Sequence, residues 1–143
     1  MKTPDIIISM YQNTKTALQS ISDLKSKTDD HEFLKLLSAQ EKRYVGFNQE
    51  IEELAKKHKV ALKDNSWFEK ARLWTSIQFS TMTNNTIRKL AEMMLIGTVM
   101  GTLDLYKDKA DYEGNSEDVK DVLNRLQQTE EKNFDELKKY LKG

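Results

Sequence analysis

The chain has 143 residues, of which 38% are hydrophobic and 32% charged, a balance typical of one folded helical domain covering residues 1–143. Lys plus Arg and Asp plus Glu each number 23, and the resulting net charge of zero argues against general nucleic-acid binding. The absence of cysteine excludes disulfides, thiolate metal sites and a cysteine nucleophile, and it fits a cytoplasmic protein.

The first predicted helix begins at Thr3, with Pro4 in its first turn and Asp5 at its positive end, and ends near Thr28. Residues expected to face the core follow at spacings of three and four, as in a bundle. They are Ile7, Met10, Thr14, Ala17, Ile21 and Leu24.

The second predicted helix is capped by Asp29 or Asp30 and runs to about Lys57. Lysines crowd its carboxyl end, where cations are favoured. Its predicted core face consists of Leu34, Leu37, Glu41, Tyr44, Asn48, Ile51 and Ala55.

The third predicted helix covers residues 86–112, after a break in residues 80–86 that are poor helix formers. A short helix from Trp67 to about Phe79 is predicted before the break, and one continuous helix from Trp67 to Tyr112 is the alternative. The core face is predicted to hold Ile87, Leu90 or Ala91, Met94, Thr98, Gly101 and Leu105. The apolar stretch from Met93 to Leu103 is well short of the ~20 residues that span a bilayer, so no membrane contact is expected.

The fourth predicted helix opens at Ser116, after the turn signal of residues 113–115. Its predicted core face is Val119, Leu123, Leu126, Glu130, Asn133, Leu137 and Tyr140. Residues 58–85 form a long connection between the second and third helices. The link between the first and second helices and the link between the third and fourth helices are short. The sequence therefore predicts an all-α fold, an antiparallel four-helix bundle of two hairpins joined by a long crossover that carries the short helix.

Two carboxylates, Glu41 and Glu130, fall on predicted core faces at about the same height in the bundle. A buried carboxylate is costly unless it is paired or bound to a cation. We therefore treat Glu41 and Glu130 as candidate metal ligands, with Tyr44 and Asn133 as their neighbours.

The pairs Glu41-x-x-Tyr44 and Glu130-x-x-Asn133, with residues 91–101 (AEMMLIGTVMG) and 129–133 (TEEKN), resemble the ferritin-like superfamily. More narrowly, they look like an uncharacterised bacterial family of that superfamily. The resemblance implies a ferritin-like bundle in which two helices each give a Glu and the other two each give a Glu-x-x-His to a pair of metal ions.

The departures from that ligand set shape the expected function. Tyr44 and Asn133 stand where histidines are expected, and the centres of the first and third helices offer Thr14 and Thr98 rather than carboxylates. No catalytic residue and no cofactor is assigned. The leading expectation is a non-catalytic bundle that acts through protein–protein contacts or as a homodimer. The alternative is a divergent carboxylate protein that binds or stores iron or manganese through Glu41 and Glu130.

Other candidate residues receive structural interpretations. His31 and His58 are expected at the ends of the second helix, in surface or capping roles. Met93, Met94 and Met100 are interpreted as core filler.

Gly97 and Gly101 would let a neighbouring segment approach the third helix closely, either the crossover or a second protomer. Aromatic residues concentrate in the crossover, where they would pack onto the bundle or form a contact patch: Trp67, Phe68, Trp74 and Phe79.

Overall fold

The computed structural model describes residues 1–62, residue 73 and residues 86–142. These residues form four α-helices, with no strand among them, followed by one 3₁₀ turn. The helices are α1 (Thr3–Lys25), α2 (His31–Lys57), α3 (Ile87–Asp111) and α4 (Glu117–Lys138), and the turn is Lys139–Leu141. Over the described residues, the prediction of an all-α fold with four long helices is confirmed.

The starts of α1 and α2 follow from local capping chemistry. The Asp30 carboxylate accepts a hydrogen bond from the Phe33 amide at 2.8 Å, which satisfies one of the unpaired donors of the first turn of α2. The Asp5 carboxylate accepts from the Lys2 amide at 3.2 Å and fixes the start of α1. The predicted start of α1 at Thr3 is confirmed, whereas its end at Lys25 lies three residues before the predicted one.

Of the break predicted before α3, the structure describes only the last residue, Thr86, and this residue is not helical. Thr86 has extended backbone angles, φ −62° and ψ 150°, and its hydroxyl accepts from the Lys89 amide at 3.2 Å. These features make Thr86 an N-cap, so the alternative of one continuous helix from Trp67 to Tyr112 is wrong. The predicted short helix from Trp67 to about Phe79, and the crossover around it, lie outside the described residues apart from Leu73.

Each helix has two principal neighbours: α1 and α4 each pack against both α2 and α3. Polar contacts join neighbouring helices in this arrangement. Thr14 meets Asn48 between α1 and α2, and the Asn13 amide donates to the Gly101 carbonyl at 3.0 Å between α1 and α3. A Cβ at Gly101 would lie 3.2 Å from the Asn13 amide nitrogen, so the glycine permits this close approach.

The core lies between the four helices and follows the predicted faces closely in α1 and α4. Its large, fully buried side chains include Ile6, Ile7, Met10, Ile21, Leu24, Phe33, Leu37, Tyr44, Ile51, Leu90, Leu105, Leu123, Leu126 and Leu137. Each such side chain stabilises the fold by roughly 1.5–3 kcal/mol relative to an exposed position. Of the helices in residues 1–62, 73 and 86–142, none is both long and apolar enough to cross a membrane.

Candidate functional site

Glu41 does not face the core, and the prediction that it does is wrong. Its side chain is 37% exposed, and its Oε1 lies 2.8 Å from the Lys25 ammonium of α1. The buried positions of α2 on either side of Glu41 are Leu37, Gln40 and Tyr44, at steps of three and then four residues. Glu41 follows Gln40 and therefore lies about 100° further round the helix. The predicted core face instead stepped four residues from Leu37 to Glu41 and then three to Tyr44, and it therefore placed a carboxylate of the surface in the core.

Glu130 lies in the core, as predicted, with only 1% of its surface exposed. The hydroxyl of the fully buried Tyr44 donates a hydrogen bond to Glu130 Oε2 at 2.8 Å. Burial raises the pKa of Glu130 to about 7, against the opposing effect of the Tyr44 hydrogen bond. Burial, then the charge of Glu130, raise the pKa of Tyr44 well above its ordinary value. The pair can hold or release one proton near neutral pH.

An ion pair flanks this acid between α2 and α4. The Arg43 guanidinium donates to both carboxylate oxygens of Glu136, at 2.6 and 3.0 Å, and to Asn133 Oδ1 at 2.7 Å. The Gln40 amide adds bonds of 3.3 Å to Glu136 Oε1 and to the Asn133 carbonyl. The hydrogen bond from Arg43 is the largest of the effects that lower the pKa of Glu136. We call Gln40, Arg43, Tyr44, Glu130, Asn133 and Glu136 the polar layer.

Near the middle of the bundle, α1 and α3 contribute hydroxyl groups to the interior. The buried carboxylate of α3, Asp108, lies near the end of that helix and accepts a hydrogen bond from Ser9. The buried Thr14 hydroxyl lies 3.0 Å from the Tyr11 carbonyl and 3.3 Å from Asn48 Oδ1, and the buried Thr98 hydroxyl donates to the Met94 carbonyl at 2.8 Å. These threonines therefore satisfy backbone carbonyls of their own helices.

The polar layer does not fit a two-metal carboxylate centre. Of the two predicted ligands, only Glu130 is in the interior, and its nearest hydrogen-bonding partner is the phenol of Tyr44. Throughout the described part of the chain, no three His, Cys, Asp or Glu residues are grouped so that they could hold a metal ion. The second carboxylate of the layer, Glu136, is already paired with Arg43. The remaining groups are one carboxylate, one phenol and neutral amides, and these are poor ligands for iron or manganese, which favour several carboxylates or imidazoles. The arrangement instead ties α2 to α4.

The comparisons with known proteins gave no relative. No family model, curated protein or solved structure matches the chain. The resemblance to the ferritin-like superfamily therefore stays a prediction.

A cluster at the junction of α2 and α4 contains the residue types of a hydrolytic triad, but not its geometry. Ser116 Oγ and Asp118 Oδ2 lie 3.4 and 3.3 Å from the same imidazole nitrogen, Nε2 of His58. A triad needs the serine and the carboxylate on opposite ring nitrogens. Here the Ser116 hydroxyl donates to Asp118, and Lys57 pairs with the same carboxylate at 2.6 Å. Hydrogen bonds from Lys57, then Ser116, hold the pKa of Asp118 well below its usual range. The cluster fastens the end of α2 to the start of α4.

The surface of α3 that points away from the core is apolar. Five large side chains on it are each between 48% and 56% exposed. We call them the α3 outer face: Ile96, Val99, Met100, Leu103 and Tyr106. The same helix buries seven other residues: Leu90, Ala91, Met94, Leu95, Thr98, Leu105 and Asp108.

Two details show how open this face is. Gly97 is exposed beside Ile96, and a Cβ built on it would meet no atom within 4 Å. Met100, interpreted from the sequence as core filler, is 53% exposed, and that interpretation is wrong. The other large apolar side chains of similar exposure, Val45, Leu73 and Leu141, lie in other parts of the chain. Single exposed apolar residues are ordinary, whereas a contiguous group marks a contact surface.

Proposed function

We propose that this chain is a non-catalytic four-helix bundle that acts through protein–protein contacts made by the α3 outer face. One observation carries the proposal: five large apolar side chains on one side of α3 are about half exposed. The interior offers little chemistry of its own, because the polar layer holds a single buried carboxylate among groups that are hydrogen-bonded between helices.

The proposal includes the directions of the helices, which are those of an antiparallel bundle connected as in ferritin-like folds. The contacts between α1 and α3 and between α2 and α4 support these directions. Rising positions in α1, from Thr3 through Ser9 to Asn13, contact falling positions from Tyr112, the C-cap of α3, through Asp108 to Gly101. The end of α2 contacts the start of α4 through Lys57 and Asp118. These contacts support an arrangement in which the carboxyl ends of α2 and α3 lie at the same end of the bundle. A connection between α2 and α3 then has to run the length of the bundle, as in ferritin-like folds.

Site-specific photo-cross-linking in the source cells tests the proposal. The full chain carries the change Val99→p-benzoylphenylalanine, and the matched control carries Val45→p-benzoylphenylalanine on α2, since Val99 and Val45 are 49% and 41% exposed. We expect a covalent protein adduct at position 99, at several times the yield at position 45, because only position 99 lies within a contiguous apolar surface.

A second change on the same surface makes the result specific. Adding Leu103→Lys should abolish the adduct at position 99, because a buried unpaired ammonium is costly in an apolar contact. Equal adduct yields at positions 99 and 45, or an adduct that persists in the presence of Leu103→Lys, would contradict the proposed function.

A further inference from the structure

We infer that the partner of the α3 outer face is the same face of a second copy of this chain, with the two α3 helices packed side by side in opposite directions. This inference rests on the proposed function and names the partner of that surface.

The spacing of the outer face is self-complementary. Ile96, Val99, Leu103 and Tyr106 follow one another at three, four and three residues, the repeat that lets two helices interlock side chains along a seam. The pattern is symmetric about residue 101. When one helix is turned end for end, Ile96 lies opposite Tyr106 of the copy and Val99 opposite Leu103 of the copy. A twofold axis makes both halves of such a contact equivalent, which is the commonest symmetry of protein dimers.

The local shape of α3 also suits a helix as partner. Met100 borders the seam on the same side of the helix as Ile96 and is 53% exposed. A methionine adapts its shape to the groups that it contacts. An apposed helix therefore meets one adaptable side chain beside the seam.

Charge is compatible with the antiparallel direction. Glu92, whose carboxylate lies 3.6 Å from Lys89 Nζ of the same helix, precedes the outer face on the line of the seam, and Lys107 flanks the other end of the face. In an antiparallel pair centred on residue 101, Glu92 lies at the level of Ala110 of the copy, within one turn of its Lys107. A parallel pair would instead place Glu92 against Glu92 and Lys107 close to Lys107. Opposite charges beside a helical seam favour the direction of the partner helix that brings them together, and like charges disfavour the direction that brings them together.

The size of the face sets the expected strength of association. The seam from Ile96 to Tyr106 covers about 15 Å of helix. Contact along that length buries less than the ~800 Å² per partner of a standard stable interface. We therefore expect a reversible dimer with a dissociation constant on the order of micromolar.

Disulfide trapping tests both the partner and the direction. The chain has no cysteine, so each introduced thiol is unique. Chains with Val99→Cys and with Leu103→Cys, distinguished by tags of different size, are oxidised separately and as a mixture. We expect the mixture to yield mainly the disulfide-linked heterodimer, at roughly ten times the yield of either homodimer, because Val99 faces Leu103 of the copy. A chain with Val45→Cys gives the background yield.

The other outcomes overturn the inference in distinguishable ways. Homodimers of each variant in excess over the heterodimer would mean parallel helices. Yields no higher than that of Val45→Cys would exclude a second copy as partner. Cross-linking to a different protein at position 99 would keep the proposed function while overturning this inference.

Discussion

Replacing Glu130 with glutamine is expected to remove much of the fall in stability that the wild-type bundle undergoes between pH 4.5 and 7. Burial raises the pKa of Glu130 from 4.5 to about 7. Below pH 4.5 the carboxyl is protonated in both the folded and the unfolded chain, so its contribution to stability is fully present. As pH rises from 4.5 to 7, only the unfolded chain releases the proton, and the free energy of unfolding falls by about 3 kcal/mol in total.

Urea denaturation followed by circular dichroism at several pH values measures this effect. Glu130→Gln should match the wild-type chain near pH 4.5 and exceed its stability by roughly 3 kcal/mol at pH 8, since the amide keeps the shape and an acceptor for Tyr44. Glu53→Gln, at an exposed position of α2, serves as the matched control and should leave the pH dependence unchanged. A carboxylate metal centre predicts the reverse: Glu130→Gln would lose stability, and added Mn²⁺ would stabilise the wild-type chain alone.

Replacing Arg43 with methionine is expected to destabilise the bundle by about 2–4 kcal/mol at pH 7. The change leaves Asn133 Oδ1 without its donor and the Glu136 carboxylate without two hydrogen bonds from Arg43. Both members of this ion pair are about three-quarters buried, so water replaces the lost bonds only in part. The ion pair lowers the pKa of Glu136 and so stabilises the fold above the unfolded value of 4.5, and this stabilisation disappears as pH falls. The cost of Arg43→Met should therefore shrink in acid.

Arg125 provides a matched control for Arg43. It also holds a carboxylate with two bonds, to Glu50 at 2.6 and 3.0 Å, but both side chains are 41% exposed. Arg125→Met should cost about 1 kcal/mol or less by the same denaturation measurement, because exposed ion pairs are screened by water and salt. Equal costs for the two variants would mean that the polar layer does not tie α2 to α4.

The sequence predicted the helices and most of their buried faces because periodicity and capping are local signals. Asp30 and Ser116 stand at the starts of α2 and α4 as expected, and the seven predicted core positions of α4 include Glu130 and Asn133, both of which are buried. These positions obey the spacing of a helical stripe, which can be read without knowing what lies opposite.

The candidate metal site could not be placed correctly because Gln40 and Glu41 fit the apolar stripe of α2 almost equally well. A step of three or of four residues from Leu37 keeps to the helical period, and only the neighbouring helices decide between them. In the structure Lys25 of α1 holds Glu41 at the surface, while Gln40 reaches Asn133 and Glu136 of α4. Both choices depend on contacts between residues far apart in the sequence.

The α3 outer face escaped prediction for the opposite reason. Residues 93–103 are apolar around nearly the whole helix, and periodicity cannot distinguish the side that faces the core when both sides are apolar. Gly97 and Gly101 predicted the close approach of a neighbouring segment to this helix, either the crossover or a second protomer. The structure adds which side is exposed, namely the one carrying Val99 and Leu103.

Sedimentation equilibrium of the purified full chain tests most directly whether the α3 outer face is a surface of association. Between about 1 and 500 μM, the range around a micromolar dissociation constant, the wild-type chain and Val45→Lys should both shift from the monomer mass towards twice that mass. Val99→Lys should remain at the monomer mass throughout, with its fold intact by circular dichroism. A wild-type chain that stays monomeric, or a Val99→Lys variant that dimerises as readily as Val45→Lys, would contradict the account.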